Sequence, residues 1–220
     1  MRLRRKNSTG TEEVTQESAQ SIDSAESAEA PVGPVDVADL NPDTVYIDLG
    51  SLLVPAESGL ELRLQLDEES GTVLAALMVA EEGILEARAF AASRGGDLWT
   101  DARREIAADT ARRGGTATEQ DGPFGPELYC EVPVEGPDGE ALIQPSRVIG
   151  YNGPRWFLRA TIAGRPAQDA DYATIFEDAI RSMGVSRGGE AMAPGEALPL
   201  RLPPEARPAE PADLAADDDA

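Results

Sequence analysis

Alternation on both sides of an Asn-Gly-Pro reversal constrains this chain more than any other feature. Arg147 to Ile162 reads RVIGYNGPRWFLRATI. In its second half Trp156, Leu158, Ala160 and Ile162 share one face, and Arg155, Phe157, Arg159 and Thr161 share the other. Successive side chains of a strand point to opposite faces, and Asn-Gly between two β-rich runs marks a tight reversal. The stretch therefore predicts a hairpin with at least one buried face, placed at the centre of an antiparallel sheet.

The flanking sequence supplies the rest of a sheet and two helices. TVYIDL from Thr44 alternates, and SLLVP is a short extended piece. LELRLQL sets Leu60, Leu62, Leu64 and Leu66 against Glu61, Arg63 and Gln65, the cleanest strand pattern in the chain. TVLAALMVA is an apolar run that reads as a covered strand, its alanines leaving a helix open, and ILEARAFAA is a further strand. Four consecutive strand signals joined by short turns predict a meander.

Residues 97 to 113 change period, with Leu98, Trp99, Ala102, Ile106 and Ala107 on one helical face. Asp97 suits the start and Gly114-Gly115 the end. Trp99 is read as core, since burying a large side chain contributes about 2–3 kcal/mol and aromatics are scarce. Strands follow on both sides of EGPDG, and Pro145 argues for an edge position or a bulge there. A second helix is expected from Asp169 to Met183, with Tyr172, Ile175, Phe176, Ala179, Ile180 and Met183 at helical spacing. A last short extended piece follows at Val185.

These elements define one α+β domain over residues 44 to 187, an antiparallel β-sheet packed with two main helices. Residues 1 to 43 read as a disordered arm with a basic head (Arg2, Arg4, Arg5, Lys6) on an acidic stalk. Residues 188 to 220 read as an extended acidic arm rich in proline and alanine. Within that arm Leu198, Leu200 and Leu202 alternate, and 196–204 is expected to dock on the domain or on a partner.

Composition narrows the chemistry. The net charge is −22 and there is no histidine. The nine acids and four bases of residues 1–43, and the eight and two of 188–220, leave the middle acidic as well. A broad phosphate-backbone interface on the domain is disfavoured; weak nucleic-acid binding through the basic head stays open. Triad nucleophiles ordinarily use histidine. Cys130 stands alone inside a strand and is read as a buried structural thiol. No Walker or dinucleotide glycine pattern precedes a helix, although Arg94-Gly95-Gly96 running into a helix is a weak anion candidate. No carboxylate pair or calcium-loop spacing stands out, so neither cofactor nor metal is expected. The basic start is not followed by an apolar stretch, and no run is long enough to span a bilayer; the location predicted is cytoplasmic.

Surfaces remain. Phe124 sits in a Gly-Pro-bounded loop. Arg147, Arg155 and Arg159, with Phe157, are candidates for an arginine–aromatic partner contact across the hairpin. The alternative is that Phe157 packs under a helix while the arginines pair with acids, which the acidic excess favours.

LGSLLVP, AFAASRGGDLWTDARREIAA, GPFGPEL, VIGYNGPRWFLRATIAGRPA and RGGEAMAPGEALPLRLPPEA together resemble an actinobacterial family known as domain of unknown function 3710. The resemblance spans roughly residues 44 to 206 and implies that the leucine-bearing tail belongs to the family pattern; it implies no activity. The order of elements is similar to small proteins of the Mog1/PsbP layout, a likeness of arrangement alone. The function expected is a non-catalytic interaction or scaffold module with a protein partner. The alternatives are a small-molecule or nucleotide-handling enzyme using carboxylates and arginine, or a nucleic-acid accessory protein.

Overall fold

The computed structural model describes residues 33–136 and 138–204. Arg2, Arg4, Arg5 and Lys6 and the acidic end after Pro204 lie outside the described residues. The strands are β1 (Val35–Asp36), β2 (Tyr46–Asp48), β3 (Leu52–Pro55), β4 (Glu61–Leu66), β5 (Val73–Ala80), β6 (Gly83–Ala91), β7 (Thr116–Gly122), β8 (Gly125–Glu135), β9 (Ala141–Asn152), β10 (Trp156–Gly164) and β11 (Gly184–Val185). The helices are α1 (Leu98–Arg112) and α2 (Ala170–Ser182).

Seven strands form one antiparallel sheet in the order β4-β5-β6-β10-β9-β8-β7. The predicted hairpin is β9–β10, and β10 is the middle strand. A smaller sheet runs β1-β11-β3-β2, with β1 and β11 parallel. The architecture is α+β, an antiparallel sheet with one helix on each face. Phe157 on one side of β10 packs with α1 residues, and Leu158 on the other packs with Phe176 and Ile180 of α2.

Several expectations change in three dimensions. TVYIDL and SLLVP do not extend the meander; they form β2 and β3 of the small sheet. Structure starts upstream of Thr44: the Val35 amide donates to the Met183 carbonyl at 3.0 Å, and the Trp156 indole donates to Asp36 at 3.2 Å. On α2, Ile175 is exposed and Ala173 takes a core position. Pro145 sits in a strand that is interior to the sheet, yet the pairing of β9 with β10 stops at Ser146, so the proline faces β8 alone. Its missing N–H therefore leaves no gap in the β9–β10 ladder.

The α1 helix begins at Asp97, whose carboxylate accepts from the Thr100 amide at 3.1 Å and the Thr100 hydroxyl at 2.6 Å. Its Trp99 donates to the Pro126 carbonyl at 2.6 Å and lies over β9. A Cβ at Gly150 would collide with the Trp99 ring, so glycine is what lets the helix settle on that strand. The pairing of β5 with β6 ends at Ala76 and Ala87, leaving the last residues of β6 without that neighbour. The C-terminal arm fills the gap. The Leu198 amide donates to Ala89 at 2.9 Å, the Ala91 amide donates to Glu196 at 2.8 Å, and Leu200 bridges Gly50 and Val73. Leu198 and Leu200 are buried, whereas Leu202 is 52% exposed.

Candidate functional site

Strand register places Arg88 of β6 directly opposite Arg159 of β10, Phe90 opposite Phe157, and Glu86 opposite Thr161. All six side chains share the face that carries α1, because cross-strand partners point the same way. The α1 helix lies chiefly on β7, β8 and β9. On the same face Leu77, Val79, Ile84, Glu86, Arg88 and Phe90 stay half-exposed although their strands are interior to the sheet.

An aromatic row leads from the covered half to the open half. Trp99 stacks on Phe157 with ring centres 6.0 Å apart, and Phe157 meets Phe90 at 5.9 Å. Trp99 and Phe157 are buried; Phe90 reaches the surface. Both guanidinium groups stand by its ring, Arg88 at 5.7 Å and Arg159 at 5.6 Å from the centre. Arg159 contacts Glu86 at 3.4 Å. The Arg88 Nε is shut off from solvent and has no hydrogen-bond acceptor among the described residues.

A groove of about 450 Å³ continues from Arg159 and Thr161 under the last turns of α1, past Ser146, Thr110 and Cys130. Burial pushes the Cys130 thiol up from its ordinary value, while the Thr110 hydroxyl, 3.8 Å from the sulfur, pulls weakly the other way. A thiol held in its protonated form is a poor nucleophile, which fits the structural reading of this cysteine.

The remaining sequence-predicted residues separate. Arg147 pairs with Ile162 across the hairpin and so points to the α2 side, away from Arg159. It is buried between Glu127, at 2.8 and 3.0 Å, and Glu177, at 2.9 Å. Burial works against its charge, yet the hydrogen bonds and charges of Glu127 and then Glu177 hold the guanidinium above its ordinary value. Phe124 packs against the α2-side core, with the Arg181 guanidinium 5.2 Å from its ring centre. Arg155 is exposed in the β9–β10 turn, where its carbonyl accepts from the Ala92 amide at 2.9 Å. The helix start after Gly95-Gly96 is filled by the protein itself: Asn152 accepts from the Leu98 and Trp99 amides at 3.2 and 3.3 Å, and Asp97 caps Thr100. Those amides are not free to bind an anion.

Arg88 and Phe90 complete the patch and were absent from the sequence reading. Alternation in ILEARAFAA already places them on one face with Glu86; what was missing is that this strand lies beside β10.

Residues 33–209 match the model of a family described as a protein of unknown function, DUF3710. The chain belongs to the DUF3710 family. The match begins two residues before β1 and runs past the docked arm, so it takes in both sheets, both helices and the Arg88–Phe90–Arg159 surface. No curated protein matches this DUF3710 chain. Among its described residues no helix is long and apolar enough to cross a membrane.

Proposed function

We propose that this DUF3710 protein is a non-catalytic interaction module of the cytoplasm that binds a protein partner through the open half of its large sheet. One observation carries the reading. Phe90 reaches the surface beside two arginines, on interior strands whose face is left half-exposed. Aromatic and arginine side chains together are the residue types that dominate binding energy at protein contacts. In this reading Arg155 and Arg159 touch the partner, and buried Phe157 supports Phe90 from behind. Arg147 and Phe124 stabilise the α2 side and take no part in the contact. The groove under α1 is open to solvent, which suits a surface partner better than a small-molecule reaction.

Affinity purification from the native host with the intact chain and with the R155A/R159A variant tests this. The expected result is a partner recovered by the intact chain and lost by the variant, with unchanged urea unfolding. Equal recovery by both would overturn the assignment of this face. F157A is unsuited to the comparison, since truncating a buried aromatic costs about 3–5 kcal/mol.

A further inference from the structure

We propose that Arg88 and Arg159 form an oxyanion-binding site, taking a carboxylate or phosphate group on the open half of the sheet. The proposal rests on reading that half as a contact face and names the chemistry it recognises.

Like charges directly opposite on adjacent antiparallel strands are destabilising. The chain carries 41 acids against 19 bases, so a carboxylate neighbour for each of these arginines would be easy to supply. Arg159 receives one, Glu86, at the long distance of 3.4 Å. Arg88 forms no ion pair among the described residues, and its Nε donates to no acceptor while shielded from water. An enclosed Nε without an acceptor also occurs at Arg103 and Arg187; what sets Arg88 apart is a guanidinium with no ion pair among the described residues directly opposite a second guanidinium. An anion seated between the two side chains relieves the repulsion through the charge-assisted bonds that guanidinium makes to carboxylate and phosphate, made by the outer nitrogens because the Arg88 Nε is closed to solvent.

The surroundings limit the ligand. Phe90, with both guanidinium groups within 5.7 Å of its ring centre, adds an apolar neighbour to the site. Thr161, across from Glu86, adds a hydroxyl at the mouth of the α1 groove. Glu86 opposes an anion, leaving Arg88, Arg159 and Glu86 with a net charge of +1. A singly placed oxyanion fits this balance; the long phosphate run of a nucleic acid does not, given the acidity of the rest of the chain.

The test follows the arginine Nε–H resonances of the intact chain by NMR during titration with inorganic phosphate and, separately, acetate at constant ionic strength and pH. The expected result is saturable shifts at Arg88 and Arg159. R88Q and R159Q are each expected to weaken the apparent affinity about tenfold, the loss that follows from removing one charge-assisted partner. R94Q, at an exposed arginine outside the site, is expected to leave it unchanged. Tighter saturation by phosphate assigns a phosphate-bearing ligand and tighter saturation by acetate a carboxylate; either supports the site. Shifts that rise linearly without saturating, or saturation that survives in R88Q/R159Q, would overturn it. Urea unfolding without anion checks each fold; if R88Q does not fold, R88K, which keeps the charge but not the fork, replaces it with the same expected loss. Anion saturation with no partner lost in R155A/R159A would leave the site standing and sink the protein-contact reading. Partner loss without saturation would do the reverse.

Discussion

Arg147 shows how far a single residue's chemistry depends on the face it occupies. Residues of β9 and β10 pair so that their numbers sum to an odd value, as in Phe157 with Asn152 and Ile162 with Arg147. Odd-numbered Arg147 therefore faces with even-numbered Ile162 and not with Arg159. A register shifted by one residue would have put all the arginines together, as the sequence suggested, because such a slip exchanges every side chain between faces. The actual register turns Arg147 into a buried clamp joining β8, β9 and α2 through Glu127 and Glu177. R147M is expected to cost about 3–5 kcal/mol in urea unfolding, since it leaves buried Glu127 without its counter-charge. E127Q/R147M is expected to recover part of that loss.

Asp97 supplies a pH-dependent contribution at the same scale. Hydrogen bonds from the Thr100 hydroxyl and amide, and then from Asn152, hold its carboxyl below the ordinary value against a small opposing effect of burial. The stability gained is thus fully present above the unfolded-state value, near 3.9, and lost as pH falls through the lower folded-state value. D97A is expected to lower stability at neutral pH by about 1 kcal/mol, the usual loss for an N-cap. That gap is expected to close as unfolding is measured at pH values falling below about 4.

Among the elements, the C-terminal arm is the one whose identity depends most on its surroundings. Its docked part follows Gly188 and Gly195, both at positive φ, and its short leucine alternation does not by itself hold it extended. It is held by the edge of β6 that β5 leaves unpaired and by the burial of Leu198 and Leu200. L198A is expected to destabilise by about 2–5 kcal/mol, as for other buried leucines. L202A, at an exposed position, is expected to fall within about 0.5 kcal/mol of the parent. Chemical denaturation of the two variants checks both. The helices behave differently: α1 was legible from Asp97 to Gly114 because period, cap and stop signal agree in one stretch of chain. On α2 the expected face is the buried one at Phe176, Ala179, Ile180 and Met183, while Ile175 turns outward.

At the scale of the whole molecule, the ends of the folded part close on each other. The strand β1 pairs in parallel with β11 across almost the full length of the domain, and Asp36 accepts a hydrogen bond from Trp156 in the middle of the large sheet. A chain starting at Thr44 is therefore expected to be less stable than one starting at Gly33, both ending at Pro204, with a lower melting temperature. Equal melting of the two would show that β1 contributes nothing. The match of the family to residues 33–209 has the same upstream limit.

Sequence alone determined where both helices and most strands lie, where the helices start, and that Trp156, Leu158, Ala160 and Ile162 line a core, because these follow from alternation, helical period and caps within a few residues; it missed β1, read as part of a disordered arm. Tertiary structure alone decided that β6 lies beside β10, that β2 and β3 leave the meander, and that Arg88 and Phe90 meet Arg159. Those pairings join residues far apart in the chain, and their free energy comes from surfaces that exist only once both partners are folded.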